Sequence, residues 1–190
     1  MAEANLENRS ALAGHYVPGR VGSGAGTGVT LAEGRDLILS QVAFWPDSIA
    51  KVGGKLAKDL GVQALPGPGR SFSGNQGSLL RIDPLKVWIF GAGAPAFEAD
   101  QAVTLDLSHS RTHVRIAGDE AATLLNRYLP LDLREASFPS GAVASTAFHH
   151  CGVTLWRTDG AFELFLPRNF AVSLWDLLLE GAAQFGCEVL

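Results

Sequence analysis

From Asp36 onward the chain repeats one order of elements, strand, helix, strand, strand, and no other feature restricts its fold as tightly. In the first pass, residues 37–44 read as a strand. Pro46-Asp47 then opens a helix that carries Ile49, Val52, Leu56 and Leu60 on one face, with Gly61 placed to end it. Residues 79–83 and 86–90 follow as a hairpin around Asp83-Pro84. The second pass starts with a strand whose inward set is Thr112, Val114 and Ile116. Gly118-Asp119 then caps a helix burying Ala121, Leu124, Leu125 and Tyr128, and Pro130 stops it. Residues 142–149, 153–158 and 162–166 complete it as strands, the last two joined by Asp159-Gly160. The order implies an α+β fold of two ferredoxin-like β-α-β-β halves, with helices over one face of antiparallel sheet. The boundaries fall at 36–100 and 101–190.

Residues 1–35 have a different texture. Glycines 19, 22, 24, 26, 28 and 34 stand among small and polar residues with almost no apolar periodicity, so a Gly-rich flexible arm is expected. These glycines do not make a dinucleotide fingerprint, because the sixth position after Gly22 and Gly24 is Thr27 and no convincing strand precedes them. Gly54-Lys55 is followed by Leu56, so the phosphate loop fails too, lacking the hydroxyl that binds magnesium.

Between the passes, Val103, Leu105 and Leu107 alternate with polar residues as a half-buried strand should. The parity then shifts, so Ser108–Ser110 must turn or bulge, and Arg111, His113 and Arg115 face away from the inward set. On the last helix, about residues 168–184, Asn169, Ser173, Asp176, Glu180 and Gln184 form one narrow polar stripe. Phe170, Leu174, Trp175, Leu177, Leu178 and Leu179 cover far more than the roughly 100° arc a surface helix needs. Either the domain buries this helix on two sides or part of it meets another protein.

Composition narrows the function. Charged residues are only 18% of the chain against roughly 25% in an average soluble protein, and 47% are apolar, a balance suited to a surface shared with a partner. A net charge of −4 lacks the basic footprint of a nucleic-acid binder. The polar, acidic first ten residues and the absence of a long apolar run predict a cytoplasmic chain without a membrane span. Cys151 and Cys187 are too few and too far apart for a metal site or a disulfide framework and read as free thiols. His149 and His150, as adjacent strand residues, would point to opposite faces. Ser108, His109 and His113 invite a nucleophile-and-base reading, but no elbow motif surrounds any serine and Asp106 is only a sequence neighbour. Asp132 and Asp159 suit turns or caps, and the four tryptophans lie on separate elements as packing anchors. No catalytic, cofactor-binding or metal-binding residue is assigned to this chain.

A series of short pieces then occurs in one order: Asp106-Leu-Ser-His-Ser-Arg111, Ile116-Ala-Gly-Asp119, Pro130-Leu-Asp-Leu133, Phe138-Pro-Ser-Gly141, the Thr146 strand, Phe162-Glu-Leu-Phe-Leu-Pro-Arg-Asn-Phe170 and Ser173-Leu-Trp-Asp-Leu177. Over about residues 103–183 this pattern resembles the gamma subunit of heterotetrameric sarcosine oxidase. That family is similar in turn to the folate-binding domain of glycine-cleavage aminomethyltransferase, whose paired ferredoxin-like units agree with the repeat.

The resemblance implies a non-catalytic structural subunit in a complex with alpha, beta and delta subunits. The complex would demethylate sarcosine to glycine, reduce oxygen to hydrogen peroxide and pass the methyl carbon to tetrahydrofolate. FAD, FMN, NAD and zinc would sit on the other subunits, with tetrahydrofolate as cosubstrate. Contact, chiefly with the alpha subunit, is expected through the basic strand (Arg111, His113, Arg115) and the last helix (Phe170, Trp175, Leu178). The alternatives are a folate-binding or aminomethyltransferase-like module acting alone, and a scaffold unrelated to amine oxidation.

Overall fold

The computed structural model describes residues 9–22 and 26–190. Its first two strands, β1 (Gly19–Val21) and β2 (Val29–Gly34), come from the segment expected to be an arm. That expectation is corrected for residues 9–22 and 26–35; residues 1–8 and 23–25 lie outside the described residues. The cause is a few well-placed apolar side chains rather than a periodic run. Leu12, Val29 and Leu31 are wholly buried, each worth about 1.5–3 kcal/mol relative to exposure.

The first pass folds as read apart from one added strand, at 71–74. β3 (Leu39–Phe44) leads through a 3-10 turn at Pro46–Ser48 into α1 (Ile49–Leu60), which buries Val52, Leu56 and Leu60 and stops at left-handed Gly61 (φ 68°). β4 (Ser71–Gly74), β5 (Gly77–Asp83), β6 (Lys86–Phe90) and β7 (Ala102–Asp106) complete a five-stranded antiparallel sheet in the order β4-β5-β6-β3-β7. The expected boundary at residue 100 therefore falls one strand early, because β7 pairs with β3.

The second pass gives β8 (Arg111–Ala117), a five-residue helix α2 (Ala121–Leu125), β9 (Val143–Phe148), β10 (Cys151–Thr158), β11 (Ala161–Pro167), α3 (Ala171–Ala183) and β12 (Cys187–Val189). With the two N-terminal strands they form a seven-stranded sheet, β1-β12-β2-β8-β11-β10-β9. It is antiparallel except where β2, inserted between β8 and β12, runs parallel to β12.

The sheets face one another. Leu39, Leu80 and Trp88 from the first meet Val143, Trp156 and Phe165 from the second, with Trp88 edge-on to Phe165 at 5.6 Å. α1 covers the far side of the first sheet, while α2 and α3 cover that of the second. At one end Ser71 N donates to Gly141 O (2.8 Å) and Val143 N to Gly69 O (2.9 Å), which ties the sheets together.

Candidate functional surface

β8 carries the basic residues, and its position decides what each can do. Val114 and Ile116 enter the helix-covered core, so alternation turns His113 toward the first sheet. There His113 stacks on Phe165, its cross-strand neighbour, at 5.0 Å and 18°, and meets the Phe90 edge at 5.3 Å. Nε2 of His113 donates to Glu163 Oε2 at 2.8 Å. The other oxygen of Glu163 accepts from Arg115 Nη1 and, at 3.2 Å, from Thr158 Oγ1. Burial pushes the Glu163 carboxyl up, but hydrogen bonds and charge from His113, then Arg115 and Thr158, hold it below the ordinary glutamate value.

The six residues expected at a partner surface therefore divide. Arg115 keeps a half-exposed guanidinium, and Arg111 is half-buried with its charge 5.9 Å from the Trp88 ring. Phe170 is 44% exposed. His113, Trp175 and Leu178 are corrected: all three are buried within the chain. Trp175 is covered by Tyr16 from the N-terminal segment, ring to ring at 5.3 Å, and the buried face of α3 runs through Ala171, Leu174, Trp175, Leu178 and Ala182. Its polar stripe, Asn169 to Gln184, is exposed throughout.

Two features escaped the sequence reading. Of the expected buried face of a half-buried strand, Leu107 is buried, but Val103 and Leu105 are 56% and 54% exposed on edge strand β7, facing away from α1 because Ala102 takes the core side. Trp45, which follows β3, is also exposed, with Nε1 donating to Ala99 O at 3.1 Å. Glu163 was the second. A lone carboxylate within Ala-Phe-Glu-Leu-Phe-Leu was the available signal, since a buried acid in such a run requires a cationic neighbour.

The serine and histidines do not assemble a nucleophile. Ser108 Oγ accepts from Leu39 N (3.0 Å), Asp106 accepts from Ser108 N (2.8 Å), and His113 is committed to Glu163. His149 occupies a left-handed turn position (φ 52°) beside His150. Among the described residues no group of three His, Cys, Asp or Glu side chains converges as a metal site. Burial, with Glu188 beside it, pushes the Cys187 thiol up to about 11, and Cys151 is half-buried. Asp132 binds Arg134 and Ser137 within its own turn, whereas Asp159 accepts from Ser140 Oγ of a separate loop.

No family model matches the chain. Sarcosine oxidase subunit gamma of Corynebacterium sp. (strain P-1) is 29% identical over 85 residues, covering 44% of this chain and 42% of that protein. The same subunit of strain U-96 is 30% identical over 82 residues, covering 43% and 40%. The chain is similar to sarcosine oxidase gamma subunits. The matched region spans less than half the length of these relatives.

Structural likeness extends further. A chain of heterotetrameric sarcosine oxidase from Corynebacterium sp. U-96, solved with pyrrole 2-carboxylate, superposes with a TM-score of 0.77 at 23% identity over 93% of this chain and 95% of that one. Glycine cleavage system aminomethyltransferase T from Bartonella henselae gives 0.56 at 17%, over 86% of this chain and 48% of that one. The paired-sheet α+β fold expected from the repeat is thus the fold shared with both. No helix among the described residues is long and apolar enough to cross a membrane.

Proposed function

We propose that this chain is a non-catalytic, gamma-type structural subunit of a heterotetrameric sarcosine oxidase. The observation that carries the reading is correspondence over nearly the whole chain to a chain of that enzyme, joined to similarity with subunits named gamma. In this reading the companion alpha, beta and delta subunits hold FAD, FMN, NAD and zinc. The complex oxidises sarcosine to glycine in the cytoplasm, with tetrahydrofolate taking up the methyl carbon. Contact with the alpha subunit runs through the exposed residues, Arg115 and Phe170, with the Val103 and Leu105 face of β7 as a further apolar surface.

Co-expression of the four chains, with and without this one, tests the proposal. Omitting it should prevent assembly and sarcosine-dependent peroxide formation. A fully assembled, active enzyme without it would refute the role.

A further inference from the structure

A cleft of about 350 Å³ opens where the N-terminal segment crosses β2 and β8, a volume typical of small-molecule sites. Glu33 on β2 lines it with a side chain only 5% exposed. One oxygen, Oε1, accepts from Ser10 Oγ, and Oε2 has no hydrogen-bond donor among the described residues. The Nε of Arg35 is 3.7 Å from Oε2, near enough for charge attraction but too far for a hydrogen bond. That guanidinium is itself 69% exposed.

A second buried carboxylate in the same chain shows what is missing. Glu163 is met by three protein donors, His113, Arg115 and Thr158, whereas Glu33, in the wall of the cleft, keeps one buried oxygen unpaired among the described residues. A buried carboxylate oxygen without a donor is costly, so Oε2 points to a donor beyond the described residues. The remaining lining has the opposite sign. Arg9, Arg35, Arg111 and Arg168 line the cleft against only Glu33 and Asp36. Guanidinium groups suit a carboxylate or similar acid group. A simple anion would be repelled by Glu33, and a simple amine by the arginines. Tyr16 and Leu37 add apolar wall between them.

We propose that this cleft binds a small zwitterion with its charges held apart, a protonated amine on Glu33 and an acid group among the arginines. The cleft is lined by Arg111 and Arg168 rather than by Arg115, Phe170, Val103 or Leu105, and neither reading depends on the other.

The test uses the full chain and three matched probes, 6-aminohexanoate, hexylamine and hexanoate, followed by calorimetry. The zwitterion should bind at least about tenfold more tightly than either singly charged probe. Glu33→Gln should remove that preference while the empty protein melts no lower than the parent, because Oε2 has no donor among the described residues to lose. Arg168→Ala, an exposed change that leaves the core alone, should narrow the gap between 6-aminohexanoate and hexylamine. Equal binding of the three probes, binding of none, or an unchanged preference in both variants would overturn the site.

Discussion

His113 on β8 and Glu163 on β11 meet at 2.8 Å although they are not cross-strand partners: Phe165 lies opposite His113, and Arg115 lies opposite Glu163. The diagonal places one carboxylate between two basic side chains of a single strand, on the face turned toward the first sheet. Breaking a buried pair of this kind leaves a charge or donor stranded, which costs more than the pair itself contributes.

Glu163→Gln should therefore destabilise the chain by about 3 kcal/mol, read by urea denaturation at neutral pH. The pH dependence has a definite sign. Glu163 is held below its ordinary value of 4.5, so its contribution is fully present above that pH and is lost as pH falls through the lower, folded value. The parent should lose stability on acidification below about pH 4.5, and Glu163→Gln should flatten that part of the curve. Equal acid limbs in the two proteins would exclude this pair as the cause.

Gly34 ends β2 directly against the histidine. A Cβ added there would lie 1.9 Å from His113 Nδ1. Gly34→Ala must displace the ring from Phe165 and Glu163, and a loss of about 2 kcal/mol is expected. The histidine ring signals in an NMR spectrum should shift at the same time.

Trp175 and Phe170, five residues apart, should behave in opposite ways. Trp175→Ala empties a wholly buried site and should cost about 3–5 kcal/mol in the isolated chain. Phe170→Ala should cost about 1 kcal/mol or less there and weaken association with partner chains instead. Thermal melts of the two variants, paired with co-purification of Phe170→Ala, check both halves.

The two thiols should separate by reactivity. Cys187, wholly buried and with its thiol pushed up to about 11, stays protonated at neutral pH. Cys151, half-buried at the start of β10, should take up a thiol reagent first, and Cys187 should react only on unfolding. Fast labelling of both in the native chain would contradict the packing around β12.

Much of this fold was written in local pattern. The Ile49 to Leu60 spacing with Gly61, the Asp83-Pro84 and Asp159-Gly160 hairpins, and the parity change before Arg111 each follow from one period meeting one turn. The N-terminal strands were illegible because β2 is held by neighbours at both edges, and three isolated apolar residues leave no periodic trace. The same segment explains the error at α3. Trp175 looked free for a partner only because nothing in the sequence showed that Tyr16 would cover it. Val103 and Leu105 failed for the reverse reason, as their alternation is real but β7 is an edge strand with no layer over that face. His113 required knowledge of the facing sheet, which no single-strand pattern carries.

The most direct test of the subunit reading is purification of the tagged chain from its native host, with an absorbance scan and mass identification of what accompanies it. Three companion chains, one large, one intermediate and one small, with flavin absorbance and sarcosine-dependent peroxide formation, are the predicted result. A colourless single chain with no companions would contradict it.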